Sequence, residues 1–212
     1  MIRNSSLEEI LILLPALILA FTIHEISHGL ASYALGDATA KQDGRLSLNP
    51  IRHIDIMGLL CILLVGFGWA KPVMVNPNNL KNPKVYMALI AAAGPISNFF
   101  MAFISLFIAY PLVTFANIPN YITEAVLTFS FINIVLGVFN LIPIPPLDGS
   151  KVIAAILPDS LYNRLPPMGG FGTIILLMAI FTGAIGRILP PITWAISTFF
   201  IIIVRNIYAL FL

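Results

Sequence analysis

Charge is what this sequence has least of. Lys, Arg, Asp and Glu together make up 9% of its 212 residues, where soluble domains carry about 25%; that shortage excludes a water-soluble fold. No polar stretch approaches the roughly 50 residues that a separate soluble domain needs, so the expectation is one membrane-embedded domain over 1–212. Cysteine occurs once, at Cys61, which excludes an internal disulfide framework and leaves a small apolar packing role. A net charge of only +2 gives no reason to invoke nucleic acid. A cleaved leader is not expected either, because Glu8 and Glu9 precede the first apolar run and that run is too long. Internal repeats and low-complexity tracts are absent.

What is present is hydrophobic sequence, 59% of the chain, gathered into runs near 8–35, 56–70, 85–115, 121–142, 171–188 and 191–212. A span takes roughly 20 helical residues, so these runs predict an all-α polytopic membrane protein with about five transmembrane helices. The run 56–70 is too short to cross and reads as a re-entrant segment. Counting charges supports this. With 56–70 folded back, Lys41, Arg45, Arg52, Lys71, Lys81, Lys84, Lys151, Arg164 and Arg205 share one side, opposite only Arg3 and Arg187. If 56–70 crossed, the split would be seven to four, a poorer match to the positive-inside rule. The polar connectors predict short β-strands at 39–48, around the hairpin signal Asp43-Gly44, and at 72–76, around Val73-Met74-Val75.

The first apolar run contains His24-Glu25-Ile26-Ser27-His28. Ionisable groups within a span are costly and mark function. On a helix His24 and His28 lie about 40° apart around the axis, so both imidazoles point the same way. Two imidazoles four residues apart with an adjoining carboxylate form the metalloprotease pattern, with the Glu as general base. A shuffled chain with three histidines and four glutamates would contain it about 0.0005 times. The bland alternative is a pair of buried histidines bonded to neighbouring helices.

Catalytic zinc takes three protein ligands and keeps a position open for water. His53, in a polar connector, reads chiefly as a surface or interfacial histidine. Asp148 is the better third candidate: it follows Asn140-Leu141-Ile142-Pro143-Ile144-Pro145-Pro146-Leu147, whose prolines must break a helix. On geometry alone Asp148 is equally well a helix N-cap for 151–157. His24 and His28 sit late in the first span and Asp148 just past the late end of 121–142. The two spans must therefore run the same way for these residues to meet, which again requires 56–70 not to cross. Asn98 and Asn140 are amides in apolar surroundings, suited either to holding a substrate carbonyl or to bonding between helices. Gly94-Pro95 predicts a loosened helix nearby. Asp55 and Glu124 read as solvated.

These motifs resemble the site-two protease family of intramembrane zinc metalloproteases. His24-Glu25-Ile26-Ser27-His28 matches the family's metal-binding motif, Asn140 through Asp148-Gly149 its second, and Gly94-Pro95-Ile96-Ser97-Asn98 a signature in the helix between. Gly44 to Pro50 and Phe67 to Val73 are similar to compact prokaryotic members. The resemblance covers roughly 20–160. It implies one Zn2+ per chain on His24, His28 and Asp148, with Glu25 as the base and Asn140 toward the substrate. It further implies a catalytic core at about 8–160 with additional helices over 171–212. A transmembrane protein would be the substrate, and the setting the cell membrane of a prokaryote with the site nearer the cytoplasm. No PDZ-like or CBS-like regulatory domain is found. An unwound substrate could add as a strand to the connectors 39–48 and 72–76. The rival from another class is a transporter or channel using these residues as a proton or metal relay; a third reading is a non-catalytic zinc scaffold, which would need a fourth ligand.

Overall fold

The computed structural model describes residues 7–114, 118–162 and 170–211. Arg3 and Arg164, used in the charge count, lie outside them. Among the described residues there are nine α-helices: α1 (Leu7–Ala34), α2 (Thr39–Gln42), α3 (Ile56–Val65), α4 (Pro83–Thr114), α5 (Asn120–Asn140), α6 (Asp148–Ile156), α7 (Asp159–Tyr162), α8 (Gly170–Phe181) and α9 (Ala184–Ala209). Four of them, α1, α4, α5 and α9, are long and apolar enough to cross a membrane. The chain is an integral membrane protein by that measure.

α1, α4 and α5 pack against one another, and α9 lies against α4 and α5. Lipid tails are as apolar as leucine, so spans associate through small side chains that admit close packing. Ala16 and Ala20 of α1 meet Ile132 and Leu136 of α5. Ala102 of α4 meets Ile134 and Val138, with Ile196 and Phe200 of α9 packed beside them. Gly137 faces the Phe99 ring, 2.8 Å from where a Cβ would sit.

Two expectations need correction. First, no strand forms among the described residues. Asp43-Gly44 closes α2 instead of a hairpin: Gly44 takes φ +66° and Arg45 N–H bonds back to the Ala40 carbonyl at 2.8 Å. A left-handed glycine serves a helix C-terminus as well as a hairpin turn, and Thr39-Ala40-Lys41-Gln42 lacks the alternation that would select a strand. The backbone at 71–76 pairs with no strand, and three of its donors are engaged otherwise: Lys71 N–H with the His53 carbonyl at 2.8 Å, Val73 N–H with Glu25 at 2.8 Å and Asn76 N–H with Asp37 at 2.8 Å. Second, among the described residues the run predicted at 171–188 gives the 12-residue α8, about 18 Å long, and the helices long enough to span number four there instead of about five. The break falls at Gly183, φ +75°, and Pro190 and Pro191 lie inside α9.

The segment 56–70 turns back on itself. α3 has 10 residues, about 15 Å of helix against a hydrocarbon core of about 30 Å, and ends at Gly66 in the left-handed conformation. A Cβ on Gly58 would run into the Trp69 carbonyl, and one on Gly68 into the Gly58 carbonyl. The returning chain therefore lies backbone against backbone on α3. Its two ends meet where Lys71 N–H reaches the His53 carbonyl. Asp55 caps α3, accepting from Gly58 N–H at 2.8 Å, and Glu124 is exposed.

Asp37 ties this region to α1. Fully buried, its carboxylate accepts from Ser32 Oγ at 2.9 Å, Thr39 N–H at 3.1 Å and Thr39 Oγ1 at 2.5 Å, Asn76 N–H at 2.8 Å and Asn79 Nδ2 at 2.7 Å. Burial alone would raise its pKa; the donors outweigh it and hold the carboxyl well below the usual range. With the folded value below the unfolded one, this stabilisation is complete above about pH 4 and fades only as the pH falls through the depressed native value. Asp37→Ala strands these donors, and a loss of about 3–5 kcal/mol is expected, read as a lowered unfolding temperature in detergent.

Candidate metal centre

The later half of α1 carries His24, Glu25 and His28, all buried. Asp148 arrives from the far end of α5 through turns that the prolines impose: Ile144 N–H bonds to the Ile142 carbonyl at 2.8 Å and Leu147 N–H to Ile144 at 3.0 Å. A Cβ on Gly149 would strike the Leu141 carbonyl and come within 2.7 Å of that of Ile142, so a glycine there lets α6 start hard against the end of α5. Leu147 is the N-cap residue of α6 and makes no side-chain capping bond. The N-cap reading of Asp148 is thereby corrected: Asp148 is the first helical residue, and its carboxylate points elsewhere.

It points at the two imidazoles. Asp148 Oδ2 is 3.2 Å from His24 Nε2 and 3.1 Å from His28 Nε2, and the two Nε2 atoms are 3.0 Å apart. Lys151 Nζ lies 3.6 Å from the other oxygen, Oδ1. The rings stand perpendicular with centroids 4.6 Å apart. His28 Nδ1 is 2.7 Å from the Ile90 carbonyl, which only accepts, so Nδ1 carries the ring proton. His24 Nδ1 is 2.6 Å from Asn98 Oδ1, again an acceptor. Each Nε2 is then left with a lone pair.

The expected zinc can be tested against this donor set. With each Nδ1 committed to an acceptor, two imidazole nitrogens and a carboxylate oxygen converge, an arrangement suited to a bound cation. Ligand atoms around tetrahedral zinc sit about 3.3 Å apart, close to the 3.0–3.2 Å found here. Gly94 of α4 completes the fit: a Cβ there would stand 2.6 Å from His24 Cε1 and from His28 Cε1 and Nε2. His24, His28 and Asp148 form the one such group of possible metal ligands among the described residues. The residues fit the ion.

Glu25 Oε2 accepts from the Val73 backbone N–H at 2.8 Å, so the extended segment after α3 holds the carboxylate beside the two rings. Arg45 donates to the carbonyls of Arg52 and Lys71 and steadies that segment. Asn140 is half-buried at the end of α5 and gives Nδ2 to the Leu136 carbonyl at 3.0 Å, with no described bond to the cluster. His53 is a correction: it is 1% exposed, not a surface group, and gives its Nε2 proton to the Ser47 carbonyl at 2.8 Å. Burial pushes its pKa down, and the nearby Arg45 charge pushes the same way against the Ser47 bond. It stands outside the metal cluster as a neutral ring. Sequence reasoning missed the Val73 N–H, the Ile90 carbonyl and Asn133; only Asn133 left a signal, an amide inside an apolar run.

A buried His-His-Asp cluster with a glutamate beside it, set among apolar spans, defines a membrane-embedded metallopeptidase. The chain belongs to peptidase family M50, as the site-two protease motifs anticipated. That family's profile matches residues 112–182. A Bacillus subtilis (strain 168) protein named "Putative zinc metalloprotease YwhC" is 38% identical over 184 residues, 84% of this chain and 84% of that one. "Putative zinc metalloprotease Rip2" of Mycolicibacterium smegmatis is 25% identical, covering 80% of this chain and 66% of its own length. Its Mycobacterium tuberculosis (strain H37Rv) namesake is 27% identical, with 76% and 63% covered. No solved structure matches the chain.

Proposed function

We propose that this protein is a zinc-dependent endopeptidase that cuts transmembrane proteins within or beside the bilayer, with 1–212 acting as one catalytic domain. The observation that carries this reading is the convergence of two imidazole nitrogens and a carboxylate oxygen 3.0–3.2 Å apart inside a bundle of apolar spans. His24, His28 and Asp148 would hold the ion. When bound, zinc supplies Lewis acidity, bringing the pKa of water to about 7 and polarising a carbonyl.

The protein's own groups do the rest. Glu25, oriented by Val73 N–H, takes the proton of the attacking water and delivers it to the leaving amine. The second Nδ2 hydrogen of Asn140 is available to a substrate carbonyl or the charge that develops on it. A helical substrate keeps its backbone amides in internal bonds, so a stretch must unwind before it can be cut. α3 and its return would dip into the membrane as a re-entrant hairpin. The basic residues Lys41, Arg45, Arg52, Lys71, Lys81 and Lys84 follow α1 in the segments before or at the start of α4 and Lys151 follows α5, and the positive-inside rule puts the end of α1 that carries the site toward the cytoplasm of a prokaryotic cell membrane.

Incubating the purified protein with a panel of single-span substrates tests the reading. Cleavage is expected, its loss on adding a zinc chelator, and its recovery on returning zinc. Asp148→Ala should lose both zinc and cleavage. Failure to cut any substrate in the panel with zinc bound would count against the proposal.

A further inference from the structure

Asn133 of α5 takes no part in the chemistry above, yet it ends a line of buried amides that begins at the metal centre. Asn98 and Asn133 are fully buried and His24 is 4% exposed, in a setting where a free amide is expensive. Each bond in the line has its polarity dictated by the far end. The Phe129 carbonyl only accepts, so Asn133 turns Nδ2 toward it at 2.8 Å and is left with Oδ1 as an acceptor. Asn98 must therefore offer Nδ2 to Asn133 Oδ1, at 2.8 Å. The Ala20 carbonyl, 3.4 Å from the same Nδ2, independently demands that orientation. Asn98 Oδ1 is then fixed as the group facing His24 Nδ1 at 2.6 Å. The ring proton has to sit on Nδ1, and Nε2 has to present its lone pair to Asp148 and His28.

The geometry points to Asn133 as a positioning residue: acting through Asn98, it sets the tautomer and ring plane of His24, so that α1, α4 and α5 jointly prepare one metal ligand. This rests on the reading of His24, His28 and Asp148 as the ligands. Amides that served only to join helices would contribute to the stability of the zinc-free bundle. An amide line that prepares a ligand is read in the affinity for zinc as well, and a replacement that restores its bonds restores that affinity.

The full-length protein in detergent is the material, with zinc affinity measured by competition with a chromophoric chelator and unfolding of the zinc-free form followed in parallel. Asn98→Leu is expected to weaken zinc binding about 10–100-fold and Asn133→Leu about tenfold, each with a lowered zinc-free unfolding temperature because a buried donor loses its partner. Asn133→Asp, as a neutral acid, restores both bonds, its hydroxyl donating to Phe129 and its carbonyl accepting from Asn98. It should bind zinc within about threefold of the parent. Parental affinity in Asn133→Leu overturns the inference, as does an affinity loss that Asn133→Asp shares. Should Asn133→Leu not fold, Asn133→Ser, too short to reach Asn98, replaces it with cobalt(II) as the probe. Visible absorption bands displaced from those of the parent and Asn133→Asp are expected, and coincident bands overturn the inference. A failure of the ligand assignment shows separately, as His24→Ala and Asp148→Ala binding zinc like the parent.

Discussion

Glu25→Gln is expected to keep its zinc and lose cleavage by at least about 10²–10⁴-fold, the range supplied by a positioned general base. The amide has the size of the acid it replaces, so the buried space beside the histidines stays filled. Its oxygen can still accept from Val73 N–H, which reaches Glu25 at 2.8 Å, so the extended segment keeps its anchor. What the amide cannot do is take a proton from water. Metal content and the unfolding temperature should match the parent while turnover of a single-span substrate disappears. An active Glu25→Gln enzyme with normal zinc would remove Glu25 from the mechanism.

Gly94→Ala is expected to abolish tight zinc binding, by about 100-fold or more, through one methyl group. That methyl would lie 2.6 Å from atoms of both imidazoles, well inside van der Waals contact. The rings have nowhere to go, because their Nδ1 atoms are tied to Asn98 at 2.6 Å and to the Ile90 carbonyl at 2.7 Å. Either those bonds break or α4 moves away from α1, and both outcomes disperse the ligands. Helix content by circular dichroism should survive, since the change touches one residue of the 32 in α4. A zinc-replete Gly94→Ala protein would show that α4 yields without cost to the site.

Much of the candidate site was legible in the sequence because its parts carry strong local constraints. The four-residue spacing of His24 and His28 fixes a shared face on any helix, and three prolines before Asp148 force a break. The charge balance favoured folding 56–70 back, and in the structure the two ends of that segment meet at His53 and Lys71. What stayed hidden depends on backbone groups, which carry no letter code: the Val73 N–H under Glu25 and the Ile90 carbonyl behind His28. The strand at 72–76 failed where Asp37, Glu25 and the His53 carbonyl captured the N–H groups of Asn76, Val73 and Lys71, a competition between distant groups that no local pattern reports. The break before α9 fell at Gly183 rather than at the prolines because a left-handed residue ends a helix outright, whereas proline is tolerated within membrane helices.

His24 and Asp148 stand 124 positions apart in the chain. During biosynthesis a nascent molecule therefore owns two donors long before it owns the third. At ribosomal speeds of about 5–20 residues per second, roughly 6–25 s pass between the emergence of one and the other. Throughout that interval the growing polypeptide lies among freshly inserted neighbours without a complete blade, and it acquires one only after α5 has been threaded and the prolyl turn behind it has docked.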